Sequence, residues 1–261
     1  MKRLFCLLLI AGLCAGASRA DHVADAGRAI LKKNQDAVVG VKVVAKVAAP
    51  GRESMQEIKI DVVGVMVDAT GLTVASLRNV EPSEVLSRSF GRELQVEISD
   101  LKLVLADRSE VSAALVLRDK DLDLAFLRPT EKLPKPAAFV SLEDAGKPEL
   151  LDEVILLTRT VRTPRLDPVL DDARISAVID KPRLYYVISG LGSPGHAVFT
   201  LDGKYIGQSF LRRSLKGDVW AVIVPAADIA EIAKQAPAQA PKPAPAEEKK
   251  PAEKKSGAAT P

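Results

Sequence analysis

The sequence predicts an all-β fold, a set of short antiparallel strands closed as a sandwich or barrel, and three observations carry the prediction. Apolar residues recur with a period of two between residues 37 and 224. The runs that carry this period are short, rich in Val, Ile and Leu, and separated by Gly, Pro, Asp or Ser. About a dozen such runs follow one another, and closure of the sheet is what hides so many strand edges.

In chain order the strands are AVVGVKVVAKV (37–47), EIKIDVVGVMV (57–67), LTVASL (72–77), LQVEI (94–98), LKLVLA (101–106) and VSAALVL (111–117). LAFL (124–127), EVILLT (153–158), ISAVI (175–179), LYYVI (184–188), KYIGQSFL (204–211) and VWAVIV (219–224) complete the series. Asp68-Ala-Thr-Gly71 and Leu201-Asp-Gly203 read as tight turns. Two stretches have helical spacing instead. VADAGRAILKKN (23–34) places Val23, Ala26, Ile30 and Leu31 on one face, and AADIAEIAKQ (226–235) opens just after Pro225. Each is expected to dock on a barrel. No internal repeat stands out.

The two ends of the chain have other compositions. Residues 1–20, MKRLFCLLLIAGLCAGASRA, have a basic start, a short apolar run and a small-residue end. That pattern predicts a secretory signal peptide and a periplasmic or extracellular protein. Both cysteines, Cys6 and Cys14, lie inside this segment, so the mature chain is expected to have no thiol, disulfide or cysteine metal site. Residues 236–261 are Pro, Ala, Lys and Glu with no aromatic residue. Such a tail is expected to be disordered, a solubiliser or a spacer whose lysines touch anionic envelope polymer or lipid. The formal net charge of +3 belongs to these ends, because the body between them is −2, with 29 basic and 31 acidic residues. No nucleic-acid face is implied. With two histidines in the whole chain and no phosphate-binding glycine motif, neither a metal nor a nucleotide cofactor is expected.

Three spacings belong together. GVMVDATGLTVASLRNV (64–80) reads as strand, turn, strand and a polar residue at the strand end. LVLADRSEVSAALVLRDKDLDLAFL (103–127) is a hairpin and then an acid, Asp123, just before an apolar strand. GLGSPGHAVFTLDGKYIG (190–207) is a loop with the glycines, lone serine and histidine that a nucleophile loop might need, and a proline in its middle. Together with the closing IVP and helix, they resemble the HtrA/Deg type of trypsin-like serine protease over roughly residues 37–235. The resemblance implies a trypsin-like double β-barrel with a short N-terminal and a C-terminal helix, occupying residues 21–235. Many members of that family carry a PDZ module where the tail follows here.

The resemblance also places the degenerate triad. Its acid falls on Asp123, its histidine on Arg78 and its nucleophile on Pro194, with Gly192, Ser193 and Gly195 in the oxyanion-like loop. Arginine stays protonated and cannot act as a base. Proline has neither a hydroxyl nor an N–H to offer an oxyanion. These substitutions predict a pseudoprotease that binds a peptide or partner protein in or near the cleft between barrels. The alternatives are an active hydrolase using Ser193 with His196 as its base, and an envelope protein acting through its tail. A catalytic Ser193 would have Leu191 two residues before it, where the family has Gly. His22, at the mature N-terminus, is too far along the chain to serve the cleft.

The remaining candidates have structural expectations. Arg78 and Asp123 should form a partly buried ion pair bridging the barrels. Arg212, Arg213 and Lys216 read as a hairpin tip, or as a rim for acidic groups. Of Tyr185 and Tyr186, alternation puts one into the second barrel and one toward the cleft, and Trp220 is expected in the core or barrel wall.

Overall fold

A computed structural model describes residues 22–50, 55–160, 166–190, 195–213 and 219–240, with the Arg213 side chain excepted. It contains two closed six-stranded antiparallel barrels. Helix α1 (22–34) runs into a 3-10 turn at Gln35–Ala37 and then into the first barrel. That barrel comprises β1 (Val38–Ala48), β2 (Gln56–Met66), β3 (Thr73–Ser76), β4 (Gln95–Val104), β5 (Glu110–Asp119) and β6 (Leu124–Pro129). Helices α2 (Leu77–Val80) and α3 (Ser83–Phe90) follow β3. The second barrel comprises β7 (Glu153–Arg159), β8 (Pro168–Ile179), β9 (Tyr185–Ile188), β10 (Ala197–Thr200), β11 (Tyr205–Arg213) and β12 (Val219–Pro225), then α4 (Ala226–Ala233).

The barrels share one connectivity. The first closes in the order β1-β2-β3-β6-β5-β4, and the second in the order β7-β8-β9-β12-β11-β10. The two barrels thus repeat one topology, although no repeat is readable in the sequence.

Packing explains why the strands fall into two kinds. Some alternate, such as β4 with its exposed Gln95, Glu97 and Ser99, because one face meets solvent. Others are apolar on both faces over most of their length, because one face lines a barrel and the other lines the seam between barrels. Strand β6 is buried from Leu124 to Pro129. Its Ala125 and Leu127 fill the first barrel, while Leu124 and Phe126 join a seam core. On β7, Val154 and Leu156 fill the second barrel, and Ile155 and Leu157 face the seam. The seam core also takes Val63, Val65, Phe199, Phe210 and Val224, together with Ile30 of α1 and Ala226, Ile229 and Ile232 of α4. Helix α4 contacts β11 and β12, and α1 lies against Leu170 and Ile155, so both dock on the second barrel as they join the seam core. Burying a large aliphatic or aromatic side chain there stabilises the fold by about 1.5–3 kcal/mol, so the seam holds the barrels together.

Three elements differ from the expectation. LQVEI and LKLVLA are one strand, because Ser99 is a bulge residue whose hydroxyl bonds the Val44 carbonyl (3.1 Å). The segment AVFT is a strand, β10, that pairs with both β7 and β11. Helix α3, which has no buried residue, ends at Gly91 in the left-handed region (φ 63°).

Candidate functional site

The site candidates gather where β3 and β6 of the first barrel meet β9 and β11 of the second. Strand β3 ends at Ser76 and α2 begins at Leu77, which brings Ser76, Leu77 and Arg78 beside Asp123 at the start of β6. Asp123 is in the left-handed region (φ 63°), a conformation that Asp tolerates better than most residues. It is only 3 % exposed.

Asp123 holds the start of α2 through three bonds. Its carbonyl accepts the Leu77 N–H (2.9 Å). One carboxylate oxygen, Oδ2, accepts the Ser76 hydroxyl (2.9 Å), and the other, Oδ1, accepts the Arg78 backbone N–H (2.8 Å). Burial pushes the Asp123 carboxyl above the ordinary aspartate range. The Arg78 N–H, the Ser76 hydroxyl and the charges of Arg78 and Arg212 oppose that shift and do not cancel it.

The expected partly buried ion pair between Arg78 and Asp123 forms at long range, and its bridging of the barrels needs correction. The guanidinium Nε stands 3.9 Å from Oδ1, beyond hydrogen-bond distance, and the Arg78 side chain is 40 % exposed. Both residues belong to the first barrel, so the pair does not bridge the two. The backbone, not the guanidinium, is Asp123's close partner on Arg78.

The bridging cation is Arg212 of β11. Its Nη2 donates to the Asp121 carbonyl (2.6 Å) across the seam and meets the Tyr185 hydroxyl at 3.4 Å. Its guanidinium carbon stands 5.6 Å from the centre of the Tyr185 ring, within cation–π range. Arg213 pairs through its backbone with Val219, while Lys216 lies outside the described residues. Tyr186 is buried in the second barrel and Tyr185 packs on the seam, so the alternation separates them as expected. Trp220 pairs directly with Arg212 and is 37 % exposed, on the barrel wall and outside its core.

The glycine loop is described only from Gly195 onward. Leu191, Gly192, Ser193 and Pro194 lie outside the described residues. Gly195 has φ 95°, and a Cβ there would come within 3.1 Å of the Val63 carbonyl oxygen of β2. Its N–H donates to the Ser209 carbonyl (2.8 Å), so that N–H is committed to β11 and is not available to an oxyanion. His196, in the loop just before β10, is buried. Its ring Nδ1 stands 3.3 Å from the Ser209 hydroxyl oxygen, and its backbone N–H donates to the same oxygen (3.1 Å).

Four residues that hold this region were not singled out from the sequence. Ser76 and Ser209 are small polar residues whose roles depend on partners 47 and 13 positions away. Gln208 of β11 reaches across the seam to the Val74 carbonyl (3.3 Å). Arg159 of β7 is buried and donates to the carbonyls of Val38, Leu166 (2.8 Å) and Gln35 (2.6 Å), tying the second barrel to the entry of the first. Burial lowers its guanidinium pKa, against the nearby charges of Asp36 and Asp167.

Among the described residues no group of three His, Cys, Asp or Glu could hold a metal ion, and no helix is long and apolar enough to cross a membrane. The pair of six-stranded antiparallel barrels fits the trypsin-like double-barrel class of protein. No family model matches the chain, and no curated protein matches it.

Proposed function

We propose that this chain is an exported, non-catalytic protein of HtrA-like, trypsin-fold type. It binds an extended peptide or a partner protein in or near the cleft between its barrels. The observation that carries this reading is the pairing of Asp123 with the residue at position 78. The buried acid is held by Ser76 and by the Arg78 N–H, as an orienting carboxylate would be held, but the side chain beside it is an arginine. A guanidinium cannot accept a proton from any nucleophile at usable pH. The carboxylate therefore has no imidazole to orient, and what is left of the site is shape and charge. In the hydrolase alternative the base would be His196, whose ring is buried with Nδ1 3.3 Å from the Ser209 hydroxyl oxygen; Ser193 lies outside the described residues.

The test is direct. The mature protein should leave unfolded casein intact and resist a fluorophosphonate label. Pro194→Ser should restore neither activity, because Arg78 still cannot act as a base. Turnover by the wild-type protein that disappears in Ser193→Ala would refute the reading.

A further inference from the structure

We propose that the seam between Arg78 and Arg212 recognises a carboxylate of an acidic extended peptide, with Tyr185 and Trp220 as the wall for an apolar side chain beside it. The proposal rests on the reading of the protein as a non-catalytic binder and names the class of ligand.

Arg78 supplies the first contact. A guanidinium carries five N–H donors in a planar fork that matches a carboxylate. Among the described residues Arg78's one ion-pair partner is Asp123 at 3.9 Å, and its side chain makes no hydrogen bond with them. A long, 40 % exposed cation with its donors unengaged is oriented toward a ligand or toward water.

Arg212 supplies the second. It is fixed by Asp121 and by the Tyr185 ring, yet its Nε is buried without a hydrogen-bond partner. Buried donors are seldom left unpaired, because an unmet one costs about 1–3 kcal/mol. Nε is itself out of solvent's reach, so what Arg212 offers a carboxylate on the seam is its charge, felt at Asp123 from the second barrel as that of Arg78 is from the first.

The acids nearby are already engaged by protein donors, which hold them in place without cancelling the charge of Asp123 or Asp119. Asp123 is buried and already accepts two protein donors. Asp119 accepts the Leu122 N–H (2.8 Å), and Glu81 is held in a bidentate pair by Arg118 (2.6 and 2.9 Å). Lys120 and Asp121, both exposed, offset each other. The aromatic wall follows from the β11–β12 register. Arg212 and Trp220 face each other directly, so their side chains share the face on which Tyr185 lies. A cation pair beside aromatic rings selects an anion with an apolar neighbour. The body's net charge of −2 disfavours long polyanions such as nucleic acid.

Trp220 is the only tryptophan in the chain, so its emission reports on this wall. The experiment titrates the full mature protein with acetyl-Leu-Glu-Ala-Glu-Leu-amide and with its Gln isostere, following Trp emission at low and at physiological salt. The acidic peptide should shift the emission and bind at least tenfold tighter than the isostere, with the preference shrinking as salt rises. Arg78→Gln should abolish the preference, and Arg78→Lys should keep part of it. Arg212→Gln gives an independent check on the second cation, and a thermal melt of each variant confirms that it is folded. Equal binding of both peptides with a Trp220 shift would overturn carboxylate recognition and leave the cleft-binding reading standing. Binding of neither peptide up to millimolar concentration overturns the proposal, as does a preference that survives in folded Arg78→Gln. Failure of the underlying non-catalytic reading is read separately, by casein turnover.

Discussion

Asp123 has two side-chain partners on α2 and β3, and mutant cycles should rank them in an order that the charges alone would reverse. The perturbations are Ser76→Ala, Arg78→Ala, Asp123→Ala and the two double mutants that include Asp123. At 3.9 Å two unit charges attract by about 1 kcal/mol in bulk water and by roughly four times that at an effective dielectric of 20. Arg78 is 40 % exposed, so solvent screening and side-chain entropy reduce the net value to about 0.5 kcal/mol. Replacing Arg78 with Ala also leaves its backbone N–H bonded to Oδ1. Arg78→Ala should therefore cost at most about 1 kcal/mol, and its coupling to Asp123 should be about 0.5 kcal/mol. The Ser76 hydroxyl is buried and donates to a charged acceptor, so Ser76→Ala should cost about 2 kcal/mol. Asp123→Ala strands two buried donors and puts Ala in the left-handed region, for a loss of about 3–4 kcal/mol. The Ser76/Asp123 double mutant should then lose at least about 1 kcal/mol less than the sum. Urea unfolding of the six proteins measures all of this. A coupling for Arg78 that equals or exceeds that for Ser76 would show that the guanidinium, not the backbone, holds the acid.

Other expectations follow from the same geometry. Asp123→Asn keeps the acceptor for the Arg78 N–H and removes a titration. Because burial raises the folded-state carboxyl above its unfolded value of 3.8, this group favours folding most at low pH, and that contribution is lost as pH rises through the folded-state value. The Asn variant should thus gain stability relative to wild type as pH rises from about 4, and a difference that is flat or falls over pH 3–7 would contradict the shift. Gly207→Ala should cost about 3 kcal/mol or more by thermal melt, since its Cβ would stand 1.9 Å from the Val224 carbonyl oxygen. Tyr205→Phe should be neutral or stabilising by about 1 kcal/mol, because its hydroxyl is buried in the seam without a partner; a clear loss would reveal a bound water there. Arg159→Met should cost about 3 kcal/mol in urea unfolding by leaving the Val38, Leu166 and Gln35 carbonyls unmet.

The barrels were legible because period-two patterning is a local signal, and what went unread depends on distant partners or on segments with no core to pattern them. Strand β10 is four residues of which three are buried; apolar on both faces and attached to a glycine loop, AVFT shows no alternation to distinguish it. Helix α3 buries nothing, so SEVLSRSF has no apolar stripe fixed by a core, and its only signals were Pro82 before it and Gly91 after it. Ser99 split one strand into two on paper because a bulge interrupts the period without ending the pairing. At the site, the sequence reading brought Arg78 and Asp123 together as a side-chain pair, which is present at 3.9 Å, but missed the closer backbone contact. Side-chain charge is visible in a sequence, while a backbone N–H donated at the first turn of α2 is not.

The two triad-like positions in the described residues bear on different questions. Asp123 has a structural task that needs no catalysis: its carbonyl and carboxylate together accept the Leu77 N–H, the Arg78 N–H and the Ser76 hydroxyl, and so fasten the start of α2 to β6. An acid is favoured there on packing grounds alone, because Asp tolerates φ 63° and supplies two acceptors in a buried position. Agreement with a protease pattern at Asp123 therefore argues for the barrel and says little about hydrolysis. Arg78 is the reverse. Its side chain makes no hydrogen bond within the described fold, stands 40 % exposed, and contributes to packing mainly through a backbone that any residue except proline would supply. A side chain that the fold does not require is the one whose chemistry reports on function, and at position 78 that chemistry is a fixed positive charge.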